Sequence, residues 1–478
     1  MYDVIIIGAG ITGAATAFEL SKYRLSVAVL ERENDVACGT TKANSAILHA
    51  GYDPEPGSLM ARLNVRGTAL AKDLCARLDV PCRPCGSLVL GFGPADRAVL
   101  AGLLDRGRAN GVPGLELLTG DQARALEPNL SGAVTAALHA PSAAIVSPWE
   151  YALALLETAL ANGAELYRNA GVTALRPVPG GWRVETAAGA FQARFVLNAA
   201  GVQAQPVHEL AAPRTFTIRP ARGQYHLLDK SEGDRVGRVV FQCPNEHGKG
   251  VLVAPTVHGN LIVGPNSEPV EGDDTATTAP GLAFVRDTAR KSVPSIDFRA
   301  DIRTFAGVRA VADTGDFVIG EAAAGFFDLA GICSPGLSAA PAVAEYAVDL
   351  LGARGLPLVP KDQFFCQRTR VRFRDLSPAR RTELVRRRPD YGRVVCRCET
   401  VTEGEILDAL RGPIPPASVD GVKRRVNAGM GRCQGGFCSP RVVELLCREL
   451  GLSPLDVVQD RAGSWLLDRE TKGGGADV

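Results

Sequence analysis

Val4-Ile5-Ile6-Ile7 is an unbroken apolar run, and glycines at 8, 10 and 13 follow it at once. A short run with no polar alternation predicts a strand buried on both faces, as in a parallel sheet. Ala14 to Lys22 then reads as a helix, and Ser26 to Leu30 as a second strand ending at Glu31. Phe195-Val196-Leu197 and Phe326 to Ile332 repeat the buried-strand pattern. The latter gives way at Ser334-Pro335-Gly336 to a helix running through Leu351, with Ser before Pro as a fitting N-cap and first-turn pair. Towards the C-terminus the pattern becomes helical. Ser377 to Arg388 is a helix opened by Ser-Pro, Thr402-Glu403-Gly404-Glu405 is a capping box, and Ser439-Pro440 opens a helix stopped by Gly451.

Length changes this picture by allowing two or three domains among 478 residues, each with its own core. A formal net charge of +1 gives no reason to expect nucleic acid or a membrane surface as partner. Charge is nevertheless uneven, for ten arginines stand between Cys366 and Arg393 against Asp375, Glu383 and Asp390. A solvated face, a clamp onto the acidic remainder of the chain and a docking surface for another subunit are three uses for that stretch. Met1-Tyr2-Asp3 runs straight into the first strand without a basic leader, and no apolar run approaches the roughly 20 residues of a membrane helix. Twelve unevenly spread cysteines do not read as a disulfide scaffold. The expectation is a reducing, cytoplasmic setting, with any membrane association made through a partner.

Strand, GxGxxG and helix in immediate succession, with an acidic residue ending the next strand, is the context that makes a glycine motif specific. Gly8 allows the tight turn, Gly10 lets a pyrophosphate reach the backbone, and Gly13 lets helix pack on strand. The helix N-terminus favours the phosphate charge, and Glu31 is placed to accept from ribose hydroxyls.

Near the other end, Cys396-Arg397-Cys398 and Cys433-Gln434-Gly435-Gly436-Phe437-Cys438 form a CxC…CxxxxC pattern. Four thiolates are the usual shell of a [2Fe–2S] cluster, and zinc is the rival occupant. Cys438 stands just ahead of a helix N-terminus, and Gly429, Gly431, Gly435 and Gly436 let backbone N–H groups reach the sulfurs. Cys82 and Cys85 form a CxxC around a proline. The remaining cysteines read as small buried hydrophobes.

The dinucleotide is read as FAD. The glycine fingerprint occurs once, and a cluster accepts single electrons, whereas oxidising an alcohol or amine releases a hydride. A flavin handles both.

Beyond these motifs the chain resembles the D-amino-acid-oxidase-like FAD superfamily. The resemblance is carried by Thr41 to Ser45, Leu48 to Tyr52, Pro56 to Leu59, Leu197 to Gly201, Arg222 to Tyr225, Gly307 to Arg309, Asp316 to Gly320 and Gly331 to Leu337. Within the superfamily it resembles the L-2-hydroxyglutarate dehydrogenases and the FAD subunit of anaerobic glycerol-3-phosphate dehydrogenases. The C-terminal cysteines resemble the bacterioferritin-associated-ferredoxin-like domain. This implies an α/β fold: a discontinuous Rossmann-like FAD-binding domain, an inserted α+β substrate domain and a small helical [2Fe–2S] domain. The implied oxidoreductase module is 1–365, with FAD segments near 1–85, 140–215 and 305–360 and the substrate domain at 86–139 and 216–304. An arginine-rich linker at 366–393, a cluster domain at 394–460 and a tail at 461–478 complete the division.

The resemblance assigns FAD contacts to Gly8, Gly10, Ile11, Thr12, Gly13, Glu31 and Arg32 in the first βαβ unit. It adds Thr40, Thr41, Asn44 and Ser45, then Val172, Ala200, Gly201 and Gly307. Gly336, Leu337 and Ser338 complete the set, on a helix whose N-terminal dipole would stabilise a reduced, deprotonated flavin. His49 is the candidate general base and Arg309 the candidate anion anchor, with Arg222, Tyr225 and Tyr52 in the same pocket. His139, His208, His226, His247 and His258 read as solvated or core histidines.

The implied activity is oxidation of the secondary alcohol of a small anionic substrate, with electrons leaving through the cluster to a separate protein. Two signals disagree on the substrate. His49-Ala50-Gly51-Tyr52-Asp53 lacks the arginine usual in glycerol-3-phosphate enzymes and looks like the hydroxyglutarate enzyme, whereas the fused cluster domain favours glycerol 3-phosphate. An amine or imino-acid dehydrogenase and a non-catalytic electron-transfer subunit are the competing classes.

Overall fold

The computed structural model describes residues 1–244 and 250–471; His247 and the end of the tail from 472 lie outside them. The chain divides into two units, one of Met1–Arg32 with Val36–Arg368, the other of Glu33–Asp35 with the residues from Thr369 onward.

The first apolar run is the strand Tyr2–Ile7, flanked in parallel by Val27–Leu30 and by Gly189–Asn198. Phe326–Ala330 adds in parallel beyond Gly189–Asn198, and Glu165–Tyr167 beyond Val27–Leu30. Register pairs Ile7 with both Leu30 and Asn198, and Asn198 with Asp328, so these strands end along one edge. Ligands of open parallel sheets bind outside that edge. Val172–Val178 and Gly181–Thr186 extend the sheet antiparallel, and Val318–Ala323 pairs with Phe326–Ala330.

A second, nine-stranded sheet is almost wholly antiparallel and draws on residues 87–140 and 218–312. Its longest pairing joins Ile218–Leu228 to Asp301–Ala312, in register from Ile218↔Ala312 to Leu228↔Asp301. The second sheet therefore continues to 312, past the 305 at which the sequence reading returned the chain to the FAD domain. Residues alternate between faces as the pleat requires. Val89, Leu138 and Phe241 join the cluster that holds Tyr52 and Tyr225, whereas Leu88, Leu90, Ala137 and Val240 pack with Val285 and Ala289 of the helix Ala279–Ser292 and with Val293 just after it.

Two helices set the position of the site. Leu59–Arg77 starts at Ser58, whose hydroxyl accepts from Ala61 N–H, and buries Ala61, Asn64, Gly67, Thr68 and Ala71 at helical spacing. It crosses Gly336–Ala353 at Gly67, where a Cβ would lie 2.4 Å from Ser338 O and 2.7 Å from Ala339 Cα. Only glycine permits that approach.

The second unit is small and helical, built from Glu403–Leu410, Val419–Val426 and Ser439–Leu450 around Ile406, Val422, Leu445 and Leu446. The Thr402/Glu405 capping box forms with both bonds present, and Gly451 ends the last helix in the left-handed region at φ 68°. The arginine-rich stretch is part of this unit from Thr369 on, which corrects its reading as a linker. Phe373 and Tyr391 are buried, Phe373 N–H donates to Glu405, and arginines 374, 388 and 393 pair with Glu399, Asp408 and Glu403. Burying two aromatics anchors the segment, and its cations answer the unit's own carboxylates. Asp35 also belongs here: its buried carboxylate takes Arg425 through two 2.8 Å bonds and Arg424 through one of 3.0 Å.

Candidate active site and cluster ligands

The three glycines of the first loop do different work. A Cβ on Gly8, at φ 103°, would lie 2.6 Å from Ala199 O, and one on Gly13 would lie 1.9 Å from Gly8 O. Both are demanded by packing. Gly10 has only Thr41 Oγ1 near its Cβ direction, at 3.3 Å, and caps the helix Ile11–Leu20 without a side-chain bond or a first-turn acid. That open helix N-terminus fits the phosphates of a dinucleotide. Thr41 Oγ1 accepts from Ile11 N–H at 3.0 Å, so two of the expected contact residues bond each other. Thr12 is buried in the first turn. Glu31 is buried at the sheet edge and accepts from Ala9 N–H at 2.7 Å, while Arg32 pairs with Asp273.

Several expected FAD residues also shape the loop that carries His49. Asn44 Nδ2 donates to the carbonyls of Thr40 and Thr41, its Oδ1 accepts from Ala46 N–H, and Thr40 Oγ1 donates to Val308 O. Gly307 is pressed against the same loop, for a Cβ there would lie 1.9 Å from Ala43 O. Val172 opens an edge strand, Ala200 N–H donates to Asn198, and Gly201 takes φ 60° beyond the sheet edge.

The helix Gly336–Ala353 begins with Pro335 in the cap position and no side-chain cap, so Ser334 is not its N-cap as the sequence reading had it. Ser334 Oγ lies 3.4 Å from His49 Nε2. Gly336 and Leu337 form the helix's first turn; Gly336 N–H donates to Cys333 O, and the helix dipole favours negative charge at this end.

His49, Tyr52, Ser334 and Pro335 line one cavity. The His49 backbone is held on both sides, since its N–H donates to Ser338 Oγ at 2.7 Å and its carbonyl accepts from Thr68 Oγ1 at 2.7 Å. Its ring leans on Phe241, with centroids 5.8 Å apart. Tyr52 is buried, and burial, reinforced by Asp53, holds its phenol protonated well above the ordinary range. Tyr225 belongs to the same apolar cluster as Tyr52 and Phe241. It stacks on Phe305 at 4.8 Å and meets Ser45 Oγ at 3.2 Å through its hydroxyl. Burial raises the Tyr225 pKa, and the Arg309 charge opposes that rise.

The two candidate arginines part company. Arg309 donates to the carbonyl oxygens of Asn266 and Ala221, and no carboxylate among the described residues pairs with it. Arg222 is buried and committed to Glu268 at 2.9 Å and Asp274 at 2.7 Å. The sequence reading missed Phe241, Gln242 and Pro244, which reach the cavity from the second sheet without a motif to mark them. It also missed Asn64, whose only signal is a polar residue inside the buried stripe of a helix.

In the second unit the four cysteines stand as two pairs. Cys398 and Cys433 are exposed, with sulfurs 3.7 Å apart. Cys396, at the end of the strand Val394–Cys396, and Cys438, capping Ser439–Leu450, are buried and interact with each other. The neighbouring Cys438 thiol lowers Cys396 to about 6 against the opposing effect of burial, with help from the N–H groups of Gly429 and Glu399. Cys433 is lowered chiefly by Phe437 N–H. Gly431 has no room for a Cβ, which would lie 2.2 Å from Cys398 Cβ. Four thiols with aimed backbone donors suit a cluster of net negative charge. None of the twelve cysteines is in a disulfide, and no helix of the described residues is long and apolar enough to cross a membrane.

Comparison with known proteins extends these observations. Residues 3–350 match the family described as FAD dependent oxidoreductase (DAO), and residues 394–448 match the BFD-like [2Fe-2S] binding domain. The chain is 45% identical over 477 residues to glycerol 3-phosphate dehydrogenase of Caloramator mitchellensis, covering 99% of each chain. It is 30% identical over 317 residues to L-2-hydroxyglutarate dehydrogenase of Escherichia coli (strain K12), covering 65% of this chain and 71% of that one. Among solved structures it resembles dithionite-reduced L-α-glycerophosphate oxidase from Mycoplasma pneumoniae with FAD bound. The TM-score is 0.73 at 31% identity, covering 77% of this chain and 98% of that one. The chain belongs to the DAO family of FAD-dependent oxidoreductases and carries a BFD-like [2Fe-2S] binding domain after it.

Proposed function

We propose that this protein oxidises the secondary alcohol of glycerol 3-phosphate and delivers the electrons, through its C-terminal cluster, to a separate protein. The observation that carries the reading is the similarity to the Caloramator enzyme across both modules, over 99% of each chain. Bound FAD supplies the hydride acceptor and the [2Fe–2S] cluster a single-electron carrier.

The chain's own residues do the rest. His49 Nε2 takes the hydroxyl proton, and the two bonds to its backbone keep the ring in place as it does so. Arg309 holds the phosphate, since its guanidinium has no carboxylate partner to compete among the described residues. Arg222 is spent on Glu268 and Asp274 and stays structural. Tyr225 and Tyr52 present neutral hydroxyls, and the first turn of Gly336–Ala353 stabilises negative charge at its end. Gly8, Gly10, Gly13 and Glu31 hold the dinucleotide, and Cys396, Cys398, Cys433 and Cys438 hold the cluster. Any association with a membrane is made through the electron-accepting subunit.

L-2-hydroxyglutarate is the second reading, favoured by the stretch His49 to Asp53, which carries no arginine beside its tyrosine. Anaerobic mixing of the purified protein with each candidate decides. Flavin bleaching by glycerol 3-phosphate, followed by cluster reduction, is the expected result. Bleaching only by L-2-hydroxyglutarate, or only by L-proline or sarcosine, overturns it. Metal analysis giving zinc in place of iron and sulfide would remove the electron exit and leave the flavin chemistry standing.

A further inference from the structure

Asn64 lies on the helix Leu59–Arg77 with no exposed surface, and neither its amide nitrogen nor its amide oxygen meets a hydrogen-bond partner among the described residues. It nevertheless lines the cavity that holds His49 and Tyr52. Its nitrogen is turned towards Gly51, where a Cβ would stand 2.9 Å away, and Gly51 lines the same cavity. One turn along the helix, Thr68 donates to His49 O, so the helix that fixes the base also presents the amide. A buried amide with both ends unmet is a standing cost in stability. A leucine would fill the same stripe without it. An amide offers a donor and an acceptor side by side, which is what a hydroxyl, itself donor and acceptor, can satisfy.

We infer that Asn64 is a positioning residue that holds the terminal hydroxyl of the polyol phosphate. By fixing that end of the molecule it decides which carbon–oxygen bond faces His49. The inference rests on the glycerol 3-phosphate reading and names a specificity contact within it.

The experiment compares two compounds on one protein, by the concentration dependence of anaerobic flavin bleaching. One is glycerol 3-phosphate and the other is 2-hydroxypropyl phosphate, which lacks the terminal hydroxyl. In the wild-type holoenzyme, glycerol 3-phosphate should be favoured in rate over half-saturating concentration by at least about 10-fold. In Asn64→Leu and Asn64→Ala, with FAD retained, the preference should shrink to within about 3-fold. Thermal unfolding of Asn64→Leu should be no lower than wild type, because the substitution removes an unmet amide. A preference absent from the wild type, or unchanged in the variants, overturns the inference. Each ratio is measured within one protein, so partial loss of active protein does not alter it. Failure of the substrate reading shows separately, as a wild type that glycerol 3-phosphate does not bleach.

Discussion

Ser338 Oγ accepts the backbone N–H of His49 at 2.7 Å, which joins the first turn of one helix to a residue 289 positions earlier in the chain. Ser338 has no exposed surface. Ser338→Ala therefore removes the acceptor of a partly buried N–H and should cost about 1–3 kcal/mol of stability, read by thermal unfolding of the holoenzyme. The bleaching rate should also fall, because the imidazole is no longer held from that side. His49→Ala, with FAD retained, should lower the rate at least about 100-fold.

Arg309 and Arg222 should separate cleanly. Arg309→Met should raise the half-saturating substrate concentration by about 10-fold or more while leaving unfolding unchanged, as expected for an anion contact. Arg222→Met should leave Glu268 and Asp274 without their cation and lower stability by about 1–3 kcal/mol, since these carboxylates are themselves partly exposed. Saturation curves and melts of both variants check the contrast.

Asp35 stands among Arg424 and Arg425, all three buried. Asp35→Ala removes the only carboxylate that Arg425 pairs with among the described residues, and should cost about 3–5 kcal/mol. Urea unfolding followed through cluster absorbance measures it.

Glu403 is buried and meets Arg393, Arg441 and Arg448, and the Arg393 bonds are the largest reason its carboxyl is depressed to about 2. A carboxyl depressed on folding stabilises the native state above its unfolded value, near 4.3, and loses that contribution as pH falls towards 2. Its arginine partners are half exposed, which limits the contribution to on the order of 2 kcal/mol. Glu403→Gln should accordingly melt below wild type at pH 6, with the gap narrowing below pH 4 and closing as pH falls to about 2.

Cys398→Ser and Cys438→Ser should each lose cluster iron and sulfide. Flavin bleaching by substrate should persist in both, because hydride acceptance precedes the single-electron exit. Iron and sulfide assays beside anaerobic absorbance spectra check this.

The parallel-sheet core was legible because its signals are local: Val4 to Ile7, the glycine loop and Glu31 follow one another within about thirty residues. The four cysteines were legible for the same reason. What escaped depends on distant partners. Nothing near Arg222 indicates that Glu268 and Asp274 will claim it, and Ser334 looks like an N-cap until His49 is seen beside it. The arginine-rich stretch left three uses open because its carboxylate partners, Glu399, Glu403 and Asp408, lie further along the chain. Asn64 resembled any polar helix residue, since only burial reveals that its amide goes unmet.

The glycine crossing at residue 67 has a consequence for how such an enzyme can change. Backbone in contact with backbone leaves no side chain to remodel, so the part that handles the proton is geometrically frozen. Phe241 and Pro244 reach the cavity from the other sheet and the turn after it, whereas Gln242 is tied to Thr288 O and Ser292 Oγ. New substrate preferences can therefore arise by altering that wall alone, with the acid–base apparatus inherited intact.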